Sequence, residues 1–164
     1  MSVLRLVALT LLSVWIGGLL TLGAIAAPTL FAVLESHDPV GGRTLAGTAF
    51  GAIFLHFQHV SLIIGILLIV TLAARAMLGP RPRRLAARIW TVAGMLALSV
   101  GTTFWIIPRI DRIRNGTPGS VTSLKSDDPR RVEFDRLHGL SNGLALVTLI
   151  AGLGLLWYEV TDTH

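Results

Sequence analysis

The sequence predicts an all-α integral membrane protein, a four-helix bundle with up-down connectivity. Three observations carry this. Of its 164 residues, 52% are hydrophobic and 14% charged, where a soluble domain carries about a quarter charged residues. Mean hydropathy is +0.71. Four apolar runs, near residues 6–34, 50–78, 85–110 and 134–158, each exceed the roughly 20 residues needed to cross about 30 Å of hydrocarbon. Residues 1–164 are therefore read as one four-span domain, with the lipid bilayer as its first partner.

Span one carries Gly17, Gly18 and Gly23 around Trp15. Glycines let helices approach closely in lipid, where packing drives association. The run continues past Ala24-Ile25-Ala26 through Pro28 to Leu34, so it is read as a mature span and not as a signal peptide. A polar turn, Glu35–Arg43, follows. Span two opens on the GxxxG pair Gly47 and Gly51 and ends at Arg75. The connection to span three holds Arg75, Arg81, Arg83, Arg84 and Arg88 and no acid. By the positive-inside bias it is cytoplasmic, which places both termini there and the protein in the cell (inner) membrane. Span three leads to the Gly-, Pro- and Ser-rich loop 111–133, and span four offers Gly139, Ser141, Asn142 and Gly143 as further packing positions. The tryptophans Trp15, Trp90, Trp105 and Trp157 include interface anchors, Trp157-Tyr158 being the clearest.

A two-hairpin pseudo-repeat is suggested by spacing. Each half reads as helix, late proline, polar loop and a helix with an early histidine. Pro28 precedes His59 by 31 residues, and Pro108 precedes His138 by 30. No interrupted helix pair of the kind a transporter uses is evident.

Candidate chemistry rests on histidines. There is no cysteine, which removes disulfides, thiolate metal sites and c-type haem attachment. His56 and His59 are spaced i,i+3 and share a helix face, as do Asp135 and His138, with Asn142 one turn further on. Ionisable groups within a span usually face the bundle interior. Three readings follow. A b-type haem would take His138 and either His56 or His59 as axial ligands, with Arg43, Arg109 or Arg112 near its propionates. A borderline divalent metal would take His56, His59 and His138 with Asp135 or Glu35. Otherwise the histidines hydrogen-bond to Gln58, Ser61, Ser141 or Asn142 as packing contacts.

No Ser-His-Asp set, P-loop, HExxH or dinucleotide fingerprint is present, so no enzyme is predicted. Arginines at membrane edges suit anionic headgroups, and no nucleic-acid surface is expected. The expected role is a small non-catalytic membrane protein, an accessory or scaffold subunit beside a larger assembly or a homo-oligomer. The alternative is a haem- or metal-binding protein for electron transfer or metal handling.

The segments Trp15-Ile-Gly17-Gly18, Ala27-Pro28-Thr-Leu-Phe31 and Phe134-Asp-Arg-Leu-His138-Gly-Leu-Ser141-Asn142-Gly143 resemble the transmembrane protein 205-like family of four-span proteins. In bacteria these are domains of unknown function, similar in outline to the copper resistance D membrane domains. The resemblance implies the four-helix fold and marks Pro28, His138, Ser141 and Asn142. It supplies no reaction, and His56 and His59 lie outside its pattern.

Overall fold

In lipid every backbone polar group must be satisfied within the chain, which leaves the helix as the form for each apolar run. The computed structural model describes residues 3–78 and 84–161; Arg81 and Arg83, used above for orientation, lie outside them. Span one consists of α1 (Val3–Thr21), a π-helical turn (Leu22–Ala26) and α2 (Ala27–His37). Span two is α3 (Gly42–Leu78). Span three consists of α4 (Leu85–Gly101), a second π-helical turn (Thr102–Ile106) and α5 (Ile107–Asn115). A short 3₁₀ turn at Val121–Ser123 precedes span four, α6 (Pro129–Thr161). All four are long and apolar enough to cross a membrane, and no strand occurs among the described residues.

Spans one and three each run as one continuous helix, Val3–His37 and Leu85–Asn115, with a π-helical turn just before a proline, Pro28 and Pro108. Proline has no N–H, and its ring crowds the carbonyl four residues earlier. One extra residue in the turn relieves the clash. The N–H of Ala27 then donates to Leu22 O, and that of Ile107 to Thr102 O.

Neighbouring helices form a closed square. α1 packs on α3 and α6, and α4 packs on the same two. The core between them is Leu12, Trp15, Leu68, Leu72, Val92, Met95 and Leu155. Three glycines admit bulk from the facing helix: Gly18 meets the Phe57 ring, Gly65 meets Leu96, and Gly152 meets Ile16 and Met95. Beyond the π turns the square divides. α2 packs chiefly on α3, and α5 on α6, with a second small cluster of Ile106, Ile110 and Leu137. The end holding the short loops 38–41 and 116–128 is thus split into two hairpins. The end holding residues 3, 78, 84 and 161 is closed.

The two halves repeat at an offset of 80 residues. The π turns, Pro28 and Pro108, and Phe54 and Phe134 all match at that offset. So do the buried pairs Leu12 and Val92, Trp15 and Met95, and Ser61 and Ser141. The register inferred from histidine spacing is off by one. His138 corresponds to Gln58, and not to His59. One residue turns a side chain by about 100° around a helix, so the correction moves His59 to a different face.

The polar turns are tied by carboxylates. Asp38 Oδ1 accepts from the N–H of Val40 and of Gly41, both at 3.0 Å. The Gly41 and then the Val40 bond hold the Asp38 carboxyl below its ordinary value. Asp128 is held down first by the Arg130 side chain and then by the Arg130 N–H. A depressed carboxylate stabilises the fold above its unfolded pKa and ceases to as pH falls through the folded one. Hydrogen-exchange protection of residues 38–41 and 128–131, taken against the intrinsic exchange rate at each pH, is therefore expected to be constant from neutrality down to about pH 4 and to fall only below it. A loss of protection between about pH 5 and 7 would contradict this account.

Candidate functional site

The divided end of the bundle encloses a cavity of about 610 Å³. Its walls are mostly apolar, with Phe31, Phe50, Phe54 and Phe134 among them. Phe50 and Phe54 stack with ring centroids 6.0 Å apart. Leu22, Gly23 and Ala27 of span one and Leu146 and Leu149 of span four line it too. Gly23 and Leu146 are exposed, so the cavity opens sideways between spans one and four.

Its rim is charged but internally compensated. Arg114 donates to Asp111 Oδ1 at 3.2 Å, and its guanidinium lies over Gly51 and Gly47 of the opposite hairpin. The approach is tight at Gly51, where an added Cβ would stand 3.1 Å from the guanidinium, and ordinary at Gly47, where it would stand 3.9 Å away. Arg43 pairs with Glu35 at 2.9 Å and sits 5.8 Å from the Phe31 ring centroid. Asp135 lines the rim beside Arg131, 3.8 Å away.

His138 lines the cavity with Ser141 and Asn142, its ring stacked on Phe134 at 6.0 Å and 4°. His56 and His59 are exposed and do not line it. His56 Nδ1 lies 2.8 Å from its own helix's Ala52 O. Among the described residues no three His, Asp or Glu side chains stand together as a metal-holding group. The structure therefore does not gather His56, His59, His138 and Asp135 at one point. The reason is the helical register: His56 and His59 share a face, but the buried face of α3 runs through Gln58 and Ser61. Arg109 and Arg112 are exposed, and neither lines the cavity, while Arg43 does. Gly17, Gly139 and Gly143 have open space where a Cβ would stand, so no described helix packs against them.

The cavity floor is polar. Leu19, Phe54, Ser141 and Ala145 belong both to the cavity and to a nook of about 10 Å³ beneath it, which Gln58, Ser99, Thr102 and Thr148 complete. Thr102 and Thr148 hydroxyls donate to Leu98 O and Leu144 O of their own helices. Gln58, Ser99 and Ser141 are 4%, 3% and 7% exposed, and none of their side chains hydrogen-bonds to a described residue.

At the closed end lies a feature the sequence reading missed. Glu159 is 1% exposed and accepts from Arg75 at 2.7 Å and Arg88 at 2.5 Å. Arg5 donates to the Glu159 carbonyl at 2.6 and 3.1 Å. One residue of α6 thereby holds spans one, two and three. By sequence Arg75 and Arg88 read as loop charges because they flank an arginine-rich connector. The available signal was Glu159 itself, an acid at the end of an apolar run, which calls for a partner. Two of the five arginines behind the cytoplasmic expectation, Arg75 and Arg88, belong to this cluster.

Compared with known protein families, residues 10–117 match the family described as a domain of unknown function (DUF4149). That segment holds both π turns and both prolines. No curated protein and no solved structure matches the chain. Nothing in these comparisons supports the narrower resemblance to the transmembrane protein 205-like family or to the copper resistance D membrane domains.

Proposed function

The chain belongs to the DUF4149 family of domains of unknown function, and from that premise we propose that it is a non-catalytic membrane protein that binds a membrane-soluble ligand between its two hairpins. The observation behind this is the cavity of about 610 Å³, within the roughly 300–1,000 Å³ typical of small-molecule sites. π-helical turns, which frequently mark functional sites, stand in corresponding positions of the two halves. The apolar walls and the opening between spans one and four suit entry from the bilayer. In our reading the divided end faces outward and the Glu159 cluster faces the cytoplasm.

Filling the cavity tests the proposal. Ala145 lines both the cavity and its floor. Ala145→Trp is expected to reduce the lipid-soluble material that co-purifies with the mildly extracted protein by at least about tenfold, the loss of a good apolar contact set. Extraction followed by mass spectrometry reads the result. Unchanged retention in a folded variant would overturn the proposal.

Haem is a second occupant to test, favoured by one observation: His138 and Arg43 line the same cavity. A Soret band lost in His138→Ala would establish it, and a colourless protein from its native membrane would remove it. An accessory role beside a larger assembly draws support from Gly139 and Gly143, whose exposed positions leave room for another helix. Isolation as a lone monomer from every membrane fraction would overturn that role.

A further inference from the structure

The cavity floor carries information about the ligand's head. Gln58, Ser99 and Ser141 are buried, come from three different helices, and have no hydrogen-bond partner among the described residues. All three line the nook of about 10 Å³. Their polar atoms are not among the fully enclosed unpaired ones of the described residues, which are Trp15 Nε1 and Ser61 Oγ; they are open to the nook, where a group of a ligand can meet them. The volume is about that of one water-sized sphere. A single water-sized group fits there.

Position and charge narrow the chemistry. Gln58 lies 15 residues from Arg43 and 17 from Arg75 along α3. At 1.5 Å per residue that is about 22 and 26 Å, which puts the nook close to the bilayer midplane. No ionisable residue lines it. A charged head brought to that depth would lose its hydration without a counter-ion. A neutral oxygen, by contrast, meets the Gln58 amide N–H and two hydroxyls. The charged groups, Arg43, Arg114, Asp111 and Asp135, stand at the far rim and are paired among themselves or with neighbours.

We infer that Gln58, Ser99 and Ser141 form a seat for a single neutral oxygen, a hydroxyl or carbonyl, on a hydrophobic molecule that enters from the bilayer. This rests on the cavity being a ligand site and specifies which end of the ligand goes deepest. The body of the molecule lies against Phe54 and Leu19, and its remainder leaves between spans one and four.

The test compares probes that differ in one oxygen. The full chain in nanodiscs is equilibrated with radiolabelled hexadecanol, hexadecane or palmitate, with empty nanodiscs as the blank. The wild type is expected to retain hexadecanol about tenfold better than hexadecane, roughly one hydrogen-bonded group's worth. Gln58→Leu and Ser141→Ala are each expected to remove that preference while leaving hexadecane retention unchanged. Ser141→Ala is the smaller change and covers the case in which Gln58→Leu does not fold. Equal retention of alcohol and alkane by the wild type would overturn the seat and leave the cavity as a ligand site. Palmitate preferred over hexadecanol, with the preference lost in Arg114→Gln, would overturn it in favour of a rim anchor. If none of the three exceeds the blank, the seat and the ligand-binding function both fall.

Discussion

Glu159→Ala is expected to destabilise the bundle by roughly 3–5 kcal/mol, because removing one partner of a buried ion pair leaves the other charge uncompensated. Here two guanidinium groups, on Arg75 and Arg88, lose their shared carboxylate at once. The expected signs are a large drop in the melting midpoint in mild detergent and faster proteolysis at the end holding residues 3 and 161. A companion experiment separates charge from shape. Replacing Glu159, Arg75 and Arg88 together by leucine and methionine removes the charges as a set, and a buried ion network replaced by apolar groups is often neutral or stabilising. The triple variant is therefore expected to melt well above Glu159→Ala. If the single variant melts like the wild type, the cluster does not clamp the four spans.

Trp15→Ala is expected to cost about 3–5 kcal/mol, the range for emptying a large core site. Trp15 is 0% exposed and is the largest fully buried side chain. It sits in the core with Leu12, Ile16, Ile64 and Met95, the group that closes the bundle beneath the cavity floor. Trp15→Phe is a different matter. The indole Nε1 is buried without a hydrogen-bond partner among the described residues, so phenylalanine loses some contact area but also removes an orphan donor. A cost under about 1.5 kcal/mol is expected. Thermal melts of the two variants side by side check this. A phenylalanine variant as unstable as the alanine one would mean that the indole nitrogen matters.

Much of the fold is legible in composition alone. Runs of more than 20 apolar residues leave the chain few alternatives in lipid, and the four helices fall where the runs do. The duplication was also visible, in Pro28 and Pro108. Its register was not, because the histidines drew the alignment one residue away from the offset that the buried faces follow. His59 and Gln58 are neighbours in sequence and about 100° apart on a helix. Only Gln58 faces inward. Periodicity gives little help in such a span: both faces are apolar, one toward lipid and one toward the core.

The tryptophans carry the same lesson. Trp90, Trp105 and Trp157 are 76%, 75% and 70% exposed, whereas Trp15 is fully buried. Residue type alone does not separate an anchor from a core residue, since an indole suits both places. The glycines divide likewise. Gly18, Gly65 and Gly152 receive side chains from facing helices, Gly51 lies under Arg114, and Gly139 and Gly143 face open space.

The sequence by itself determined that this chain forms four membrane-length helices, because unpaired backbone in hydrocarbon is too costly for any other form. It also placed the two prolines that follow the π-helical turns of spans one and three. The tertiary structure alone decided that, beyond those turns, one end of the bundle divides into two hairpins around a cavity. It alone brought Arg75, Arg88 and Glu159 together, 71 and 84 residues apart in the chain, and put Gln58, Ser99 and Ser141 around one nook. Such meetings depend on helix rotation and on which spans are neighbours, and both are set by packing between segments that are distant in sequence.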